Sequence, residues 1–175
     1  MQSKLARRVY FSFHYEGDVW RADQVRNSWV TKPDRESAGY YDAAEFEAVR
    51  RQGDGAIRRW IDRNLEGTSV TVVLVGEDTC NREWVRYEVQ RSIERGNGVI
   101  FVRVHNLGDQ EGHTCRAGNL DFGCDTSECP VYDYVSDGGY DNLGDWVEAS
   151  HEAAGRQELG PPPYRYVGRT GCGRS

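Results

Sequence analysis

Two residues one helical turn apart, Trp84 and Glu88, have the types and spacing to do chemistry. They follow an apolar run, Val70-Thr71-Val72-Val73-Leu74-Val75, and a polar turn that starts at Gly76. In open α/β sheets the ligand crevice lies outside the carboxyl ends of the strands, so a strand, a turn and a helix in this order can bring a carboxylate to its lip. A carboxylate there can stabilise the oxocarbenium-like sugar formed when an N-glycosidic bond breaks. If the leaving group already carries a positive charge, no general acid is needed. Trp84 would then offer a flat face to a base. The same pair, four residues apart, also describes a solvated helix with an aromatic packed along its edge, and spacing alone does not separate the two.

A second candidate region is Ser12-Phe13-His14-Tyr15-Glu16-Gly17-Asp18, at the end of the first apolar run. It offers an aromatic platform, a titratable imidazole and a helix start suited to an anion. An ordinary strand-to-helix turn with Asp18 as N-cap would read the same way. There is no Gly-rich Lys-Ser/Thr loop and no GxGxxG, so neither a Walker loop nor a dinucleotide fingerprint is present. His113, Cys115, Cys124 and Cys129 have zinc-compatible side chains, but their spacing fits no standard finger, and no metal is expected. Arg82 and Arg86 flank Trp84 and suit either a diphosphate or plain surface charge.

The elements that must position these residues alternate. Val9 to Phe13 reads as a strand, and a helix capped by Asp18 runs to about Trp29, with Val19, Ala22, Arg26 and Trp29 on one face. Gly39-Tyr40-Tyr41 suits a short edge strand, and Asp42 to Arg51 suits helix or loop. Ile57, Trp60, Ile61 and Leu65 mark an amphipathic helix that ends at Gly67. The 70–75 run is a strand covered on both faces. Thr79 or Asn81 can cap the helix of Glu88, whose expected buried stripe is Val85, Val89, Ser92 and Ile93. Val99 to Val104 is another strand, residues 107–130 form a long polar connection, Val131 to Val135 is a last strand, and a helix opens at Leu143. This order implies a parallel sheet with helices on both faces.

Bulk properties narrow the class. At 175 residues, 38% hydrophobic and 29% charged, the chain can bury one core. A net charge of −6 argues against nucleic-acid or anionic-membrane partners. No apolar stretch reaches the roughly 20 residues of a membrane span. The basic start, Met1 to Arg8, lacks the apolar run of a secretory signal, and five cysteines are an odd number for a disulfide framework. The expected location is the cytoplasm.

Several segments together resemble a known family. They are Tyr10 to Ala22, Gln24-Val25-Arg26-Asn27, Ala56 to Ile61, Thr71 to Gly76, Trp84 to Glu88, Val104-His105-Asn106, Tyr132 to Val135 and Gly144 to Glu148. These are similar to the TIR-like family that includes the ThsB proteins of the bacterial Thoeris anti-phage system, over most of residues 8–156. The resemblance implies a flavodoxin-like three-layer α/β sandwich with a five-stranded parallel sheet, order 2-1-3-4-5. It implies a TIR-like domain over residues 1–156 and a flexible tail over 157–175. The implied activity is that of an NAD+ glycohydrolase or ADP-ribosyl cyclase, with NAD+ as substrate and no cofactor. Nicotinamide would leave, and a cyclic or modified ADP-ribose would activate a downstream effector as a diffusible second messenger. A phage-derived trigger and self-association are compatible with it.

The family's Trp-x-x-x-Glu pattern falls on Trp84 and Glu88, which makes Glu88 the implied catalytic residue. Phe13, His14, Tyr15, Asp18, Trp84 and Asn106 are the implied substrate-binding residues. Where many relatives carry Asn-Pro-Phe in the long connection, this chain reads Gly118-Asn119-Leu120-Asp121-Phe122. Two other functions share the fold: a non-catalytic TIR-like assembly module, and a nucleoside-processing N-glycosidase. A phospho-receiver would need clustered aspartates where Phe13-His14-Tyr15 stand.

Overall fold

The structure, a computed structural model, describes residues 7–33, 35–38 and 43–157. Its elements in chain order are β1 (Arg7–Ser12), α1 (Tyr15–Val30), β2 (Arg35–Ala38), α2 (Ala43–Arg50), α3 (Asp54–Leu65), β3 (Val70–Val75), α4 (Glu83–Glu94), β4 (Gly98–Arg103), β5 (Val131–Asp133) and α5 (Gly139–Gln157). A single 3-10 turn, Thr79–Asn81, precedes α4. The strands form one parallel sheet in the order β2-β1-β3-β4-β5. The expected α/β architecture with a parallel sheet is therefore present. Among the described residues no helix is long and apolar enough to cross a membrane.

Alternation along β1 decides how the layers are filled. Val9, Phe11 and Phe13 pack with Ala22, Val25 and Trp29 of α1 and Leu143 and Val147 of α5. Tyr10 turns to the opposite face and joins Ile57, Trp60, Ile61 and Leu65 of α3. β3 is buried at all six positions and feeds both layers, as a run of β-branched residues between two helix layers must. Beside α3, α4 packs Val85 and Val89 against Val73, Val75, Val99 and Phe101. α2 rides on α3 through Phe46 and Trp60, with ring centroids 5.7 Å apart.

Several boundaries and faces differ from the sequence expectation. α1 begins at Tyr15, so Asp18 lies inside the first turn and does not cap it. The buried face of α1 carries Val25 rather than Arg26, because the core stripe runs through Arg21, Ala22, Val25 and Trp29. The edge strand is Arg35–Ala38, while the Gly39-Tyr40-Tyr41 expected for it lies outside the described residues. Neither Thr79 nor Asn81 caps α4, whose N-cap position is Arg82 with no side-chain cap bond. α5 starts at Gly139, four residues earlier than the apolar pattern suggested. The tail beyond residue 157 also lies outside the described residues.

The 107–130 connection is packed as a wall. Phe122 stacks on Phe101 of β4 at 4.9 Å, and Leu120 and Cys124 lean on the same cluster. Arg103 donates to the Gly118 carbonyl at 2.7 Å, and Arg86 donates to the Asp121 carbonyl at 3.1 Å. Gly118 sits against the backbone where β3 ends, so closely that a Cβ would overlap the Gly76 carbonyl oxygen. Only glycine allows this approach. Gly118→Ala is expected to lower stability by about 1–3 kcal/mol, the usual range for overpacking. Urea unfolding checks it; an unchanged midpoint would mean that the connection does not rest on the end of β3.

Candidate active site

The sheet order reverses direction at β1, which has β2 on one side and β3 on the other. Such a switch point opens a crevice outside the strand ends. A cavity of about 300 Å³ lies there, between the segment after β1, the start of α4, and helices α2 and α3. That volume is at the lower end of small-molecule pockets. Its lining includes Phe13, His14, Tyr15, Trp84 and Glu88. Five of the seven residues expected at a site are thus brought together from two separate stretches of chain.

Glu88 is the inward carboxylate. It is 3% exposed and shares the buried stripe of α4 with Val85, Val89 and Ser92. The stripe expected from spacing, Val85, Val89, Ser92 and Ile93, did not include it. Burial of a carboxylate requires donors, and β1 supplies them. The Tyr10 hydroxyl donates to Glu88 Oε1 at 2.7 Å, and the Ser12 hydroxyl donates to Glu88 Oε2. α4 is pinned at the same level, where Ser92 donates to the Glu88 carbonyl at 2.7 Å and shares a hydrogen bond with Thr71 of β3. The carboxylate that the β1 hydroxyls hold lies in the lining of the cavity.

The other walls divide by chemistry. Phe13 and Tyr15 stand together with centroids 6.3 Å apart, and Trp84 makes an edge contact with Tyr87 at 6.2 Å. Phe46 and Ile61 complete the apolar surface. Arg50 and Arg82 are the cations of the lining. Arg82 is paired with Asp78, which a hydrogen bond from Asn81 holds below the usual carboxylate range. His14 is partly buried; that burial, and then the charge of Arg82, lower its pKa. Its imidazole is neutral at pH 7.

Two expected residues lie elsewhere. Asp18 does not line the cavity. It is buried beneath it, bonded to Arg21 at 3.1 Å and to Thr79, in space that exists only because Gly76 has no side chain. Burial pushes the Asp18 carboxyl up, against the pull of Arg21. Arg21 in turn donates to the carbonyls of Leu107 and His113, both at 2.9 Å. Asn106 is turned away to Asp133 at 3.1 Å, because the strand end it occupies is beside β5 and not at the switch point. Arg86 is likewise committed to backbone, at the Cys80 carbonyl, 2.6 Å away.

The zinc-compatible residues do not gather either. His113 faces solvent, while Cys129 is buried beside Phe122. Burial and Asp125 push the Cys124 thiol up, the opposite of an activated nucleophile.

Sequence reasoning put Ser12 in a candidate stretch without giving it a role and missed Tyr10, and it also missed Phe46, Arg50 and Ile61. A signal for the first two existed. They are the polar members of a two-residue alternation whose other members, Val9, Phe11 and Phe13, are apolar. Nothing local marked the other three, which arrive on α2 and α3 from about thirty residues away.

Comparison with known proteins places the chain in a family. The family model described as "Thoeris protein ThsB, TIR-like domain" matches residues 10–109, which span β1 to just beyond β4. A protein of Bacillus cereus (strain MSX-D12), named "Putative cyclic ADP-D-ribose synthase ThsB1", is 40% identical over 149 residues, covering 85% of this chain and 75% of its own. The chain belongs to the ThsB TIR-like family. In this ThsB-family chain the matched segment contains both stretches that form the cavity, from Phe13 to Glu88.

Two outcomes test the electrostatics. Arg21→Met leaves Asp18 buried without its cation and the 107–113 backbone without its donor. The expected loss is about 3–5 kcal/mol, as for a broken buried pair; a loss under about 1 kcal/mol in urea unfolding would refute that role. His14 contributes with the opposite sign to a histidine that gains a partner. Its folded pKa lies below the unfolded value of 6.5, so between the two the unfolded chain binds more protons. Stability is full above the unfolded value and falls as pH drops through it toward the folded one. His14→Gln should flatten that part of the stability–pH curve.

Proposed function

We propose that the protein cleaves the N-glycosidic bond between nicotinamide and ribose in NAD+ and converts the remainder to a cyclic or modified ADP-ribose. The observation that carries this reading is a buried carboxylate, Glu88, facing a cavity that also presents aromatic faces and two arginines. The relative's name, a cyclic ADP-D-ribose synthase, supports the same class of product.

Each part has a role in that reaction. Glu88 accepts hydrogen bonds from the ribose hydroxyls and stabilises the oxocarbenium ion as the C1–N bond breaks. Nicotinamide leaves neutral and takes both bonding electrons, so the site needs no general acid. Trp84, Phe13 and Tyr15 hold the pyridine and exclude water. Arg50 and Arg82 are placed for the diphosphate. With water kept out, an adenine nitrogen or a ribose hydroxyl of the same molecule attacks C1 and closes the ring, losing a proton where the nucleophile carried one. Admission of water would give linear ADP-ribose. In a Thoeris setting the product would act as a diffusible signal for an effector.

Glu88→Gln keeps the shape of the side chain and removes its charge. Purified wild-type protein and the variant are incubated with NAD+, with and without lysate of phage-infected cells, and the small molecules are read by mass spectrometry. Nicotinamide release should fall by a factor of about 10²–10³ or more, the scale of losing one electrostatic stabiliser, without a change in unfolding midpoint. Equal turnover by the two proteins would refute the assignment.

A further inference from the structure

We infer that Tyr10 and Ser12 are positioning residues for the Glu88 carboxylate; the inference rests on the role given to Glu88 above. Both are 0% exposed and adjacent on one face of β1. Each takes one oxygen: Tyr10 holds Oε1 at 2.7 Å and Ser12 holds Oε2. The last torsion of a glutamate is broad and soft when nothing holds it. Two hydroxyls, one per oxygen and both carried by a central strand, fix the plane of the carboxylate in the cavity wall. Because they donate, they favour the ionised form of the acid they hold.

Packing does not require either hydroxyl. The Tyr10 ring lies among Ile57, Trp60, Ile61 and Leu65, where phenylalanine would fill the same space. The Ser12 site, beside Val73 of β3, would accept alanine. Anchoring of α4 is also provided for separately, by Ser92 bonding Thr71 and the Glu88 carbonyl. What the two β1 hydroxyls add is control of one carboxylate. Among the described residues, the other charged or titratable side chains of the cavity are His14 just before α1, Tyr15 and Glu16 at its start, Arg50 of α2, and Arg82 and Glu83 around the start of α4; α3 contributes Ile61. The substitutions that remove the hydroxyls change none of these residues.

The test uses Tyr10→Phe, Ser12→Ala and the double variant of the full chain. With NAD+ as substrate, kcat of each single variant should fall about 10-fold or more, the scale of a hydrogen bond to a charged group. KM should stay within about twofold, since ring and diphosphate contacts are untouched. The acid limb of the pH–rate profile should move to higher pH, which a merely structural role would not cause.

A second readout needs no turnover. The Glu88 carboxyl carbon is observed by NMR in protein labelled at glutamate and assigned by its absence from Glu88→Gln. Its titration should shift to higher pH in both single variants. An unmoved titration and an unmoved acid limb would overturn the inference, and so would a fall in kcat with no change in either. If the wild-type protein consumes no NAD+ with or without infected-cell lysate, the reaction assigned above is what fails, and the carbon resonance still decides whether the hydroxyls control the carboxylate. Should Tyr10→Phe fail to fold, Ser12→Ala carries the same two readouts.

Discussion

Everything at the switch point depends on one constraint, the burial of a carboxylate between a strand and a helix. A buried anion without donors is among the costliest groups a fold can carry. Here the cost is offset from β1, where Tyr10 and Ser12 interrupt an otherwise apolar alternation to reach Glu88. α4 must therefore lie at a set height and rotation against the sheet. Ser92 and Thr71 hold it there, and Val85 and Val89 seal the contact on one side. The same rotation leaves Trp84 half-buried at the cavity wall, where an aromatic face is useful.

Around that pair the molecule distributes its cations in two ways. Arg21, Arg86 and Arg103 are spent on backbone carbonyls of the long connection or the turn before α4. Arg50 and Arg82 line the cavity. The division matters because a planar guanidinium with five donors can satisfy several carbonyls at once, which suits a long segment with no ladder of its own. A connection held in this way is fixed against the end of β3, where Gly118 is pressed on Gly76.

How much of this was legible from residues alone depended on how local each cause was. The strand at 70–75, helix α3 and the helix carrying Glu88 follow from hydrophobic period and glycine punctuation and are where that reasoning put them, and the strand read as 99–104 is present one residue earlier, at 98–103. Asp18 illustrates the opposite case. An aspartate near a helix start reads as a cap, but a buried arginine three residues later and a glycine just past the end of β3 drew it inward. Asn106 sits at a strand end, as pocket residues often do, yet its strand is one place too far along the sheet.

By itself the sequence determined the alternation of strands and helices, the membership of Glu88 and Trp84 on one helix, and the aromatic character of the turn after β1. Each is a matter of short-range period and residue type. Tertiary structure alone decided that Glu88 faces inward, that two hydroxyls from a strand seventy-odd residues away grip it, and that Phe46, Arg50 and Ile61 close the cavity. The reason is that a side chain's partner across a parallel sheet is set by strand order and register, and neither is written in the spacing of neighbouring residues.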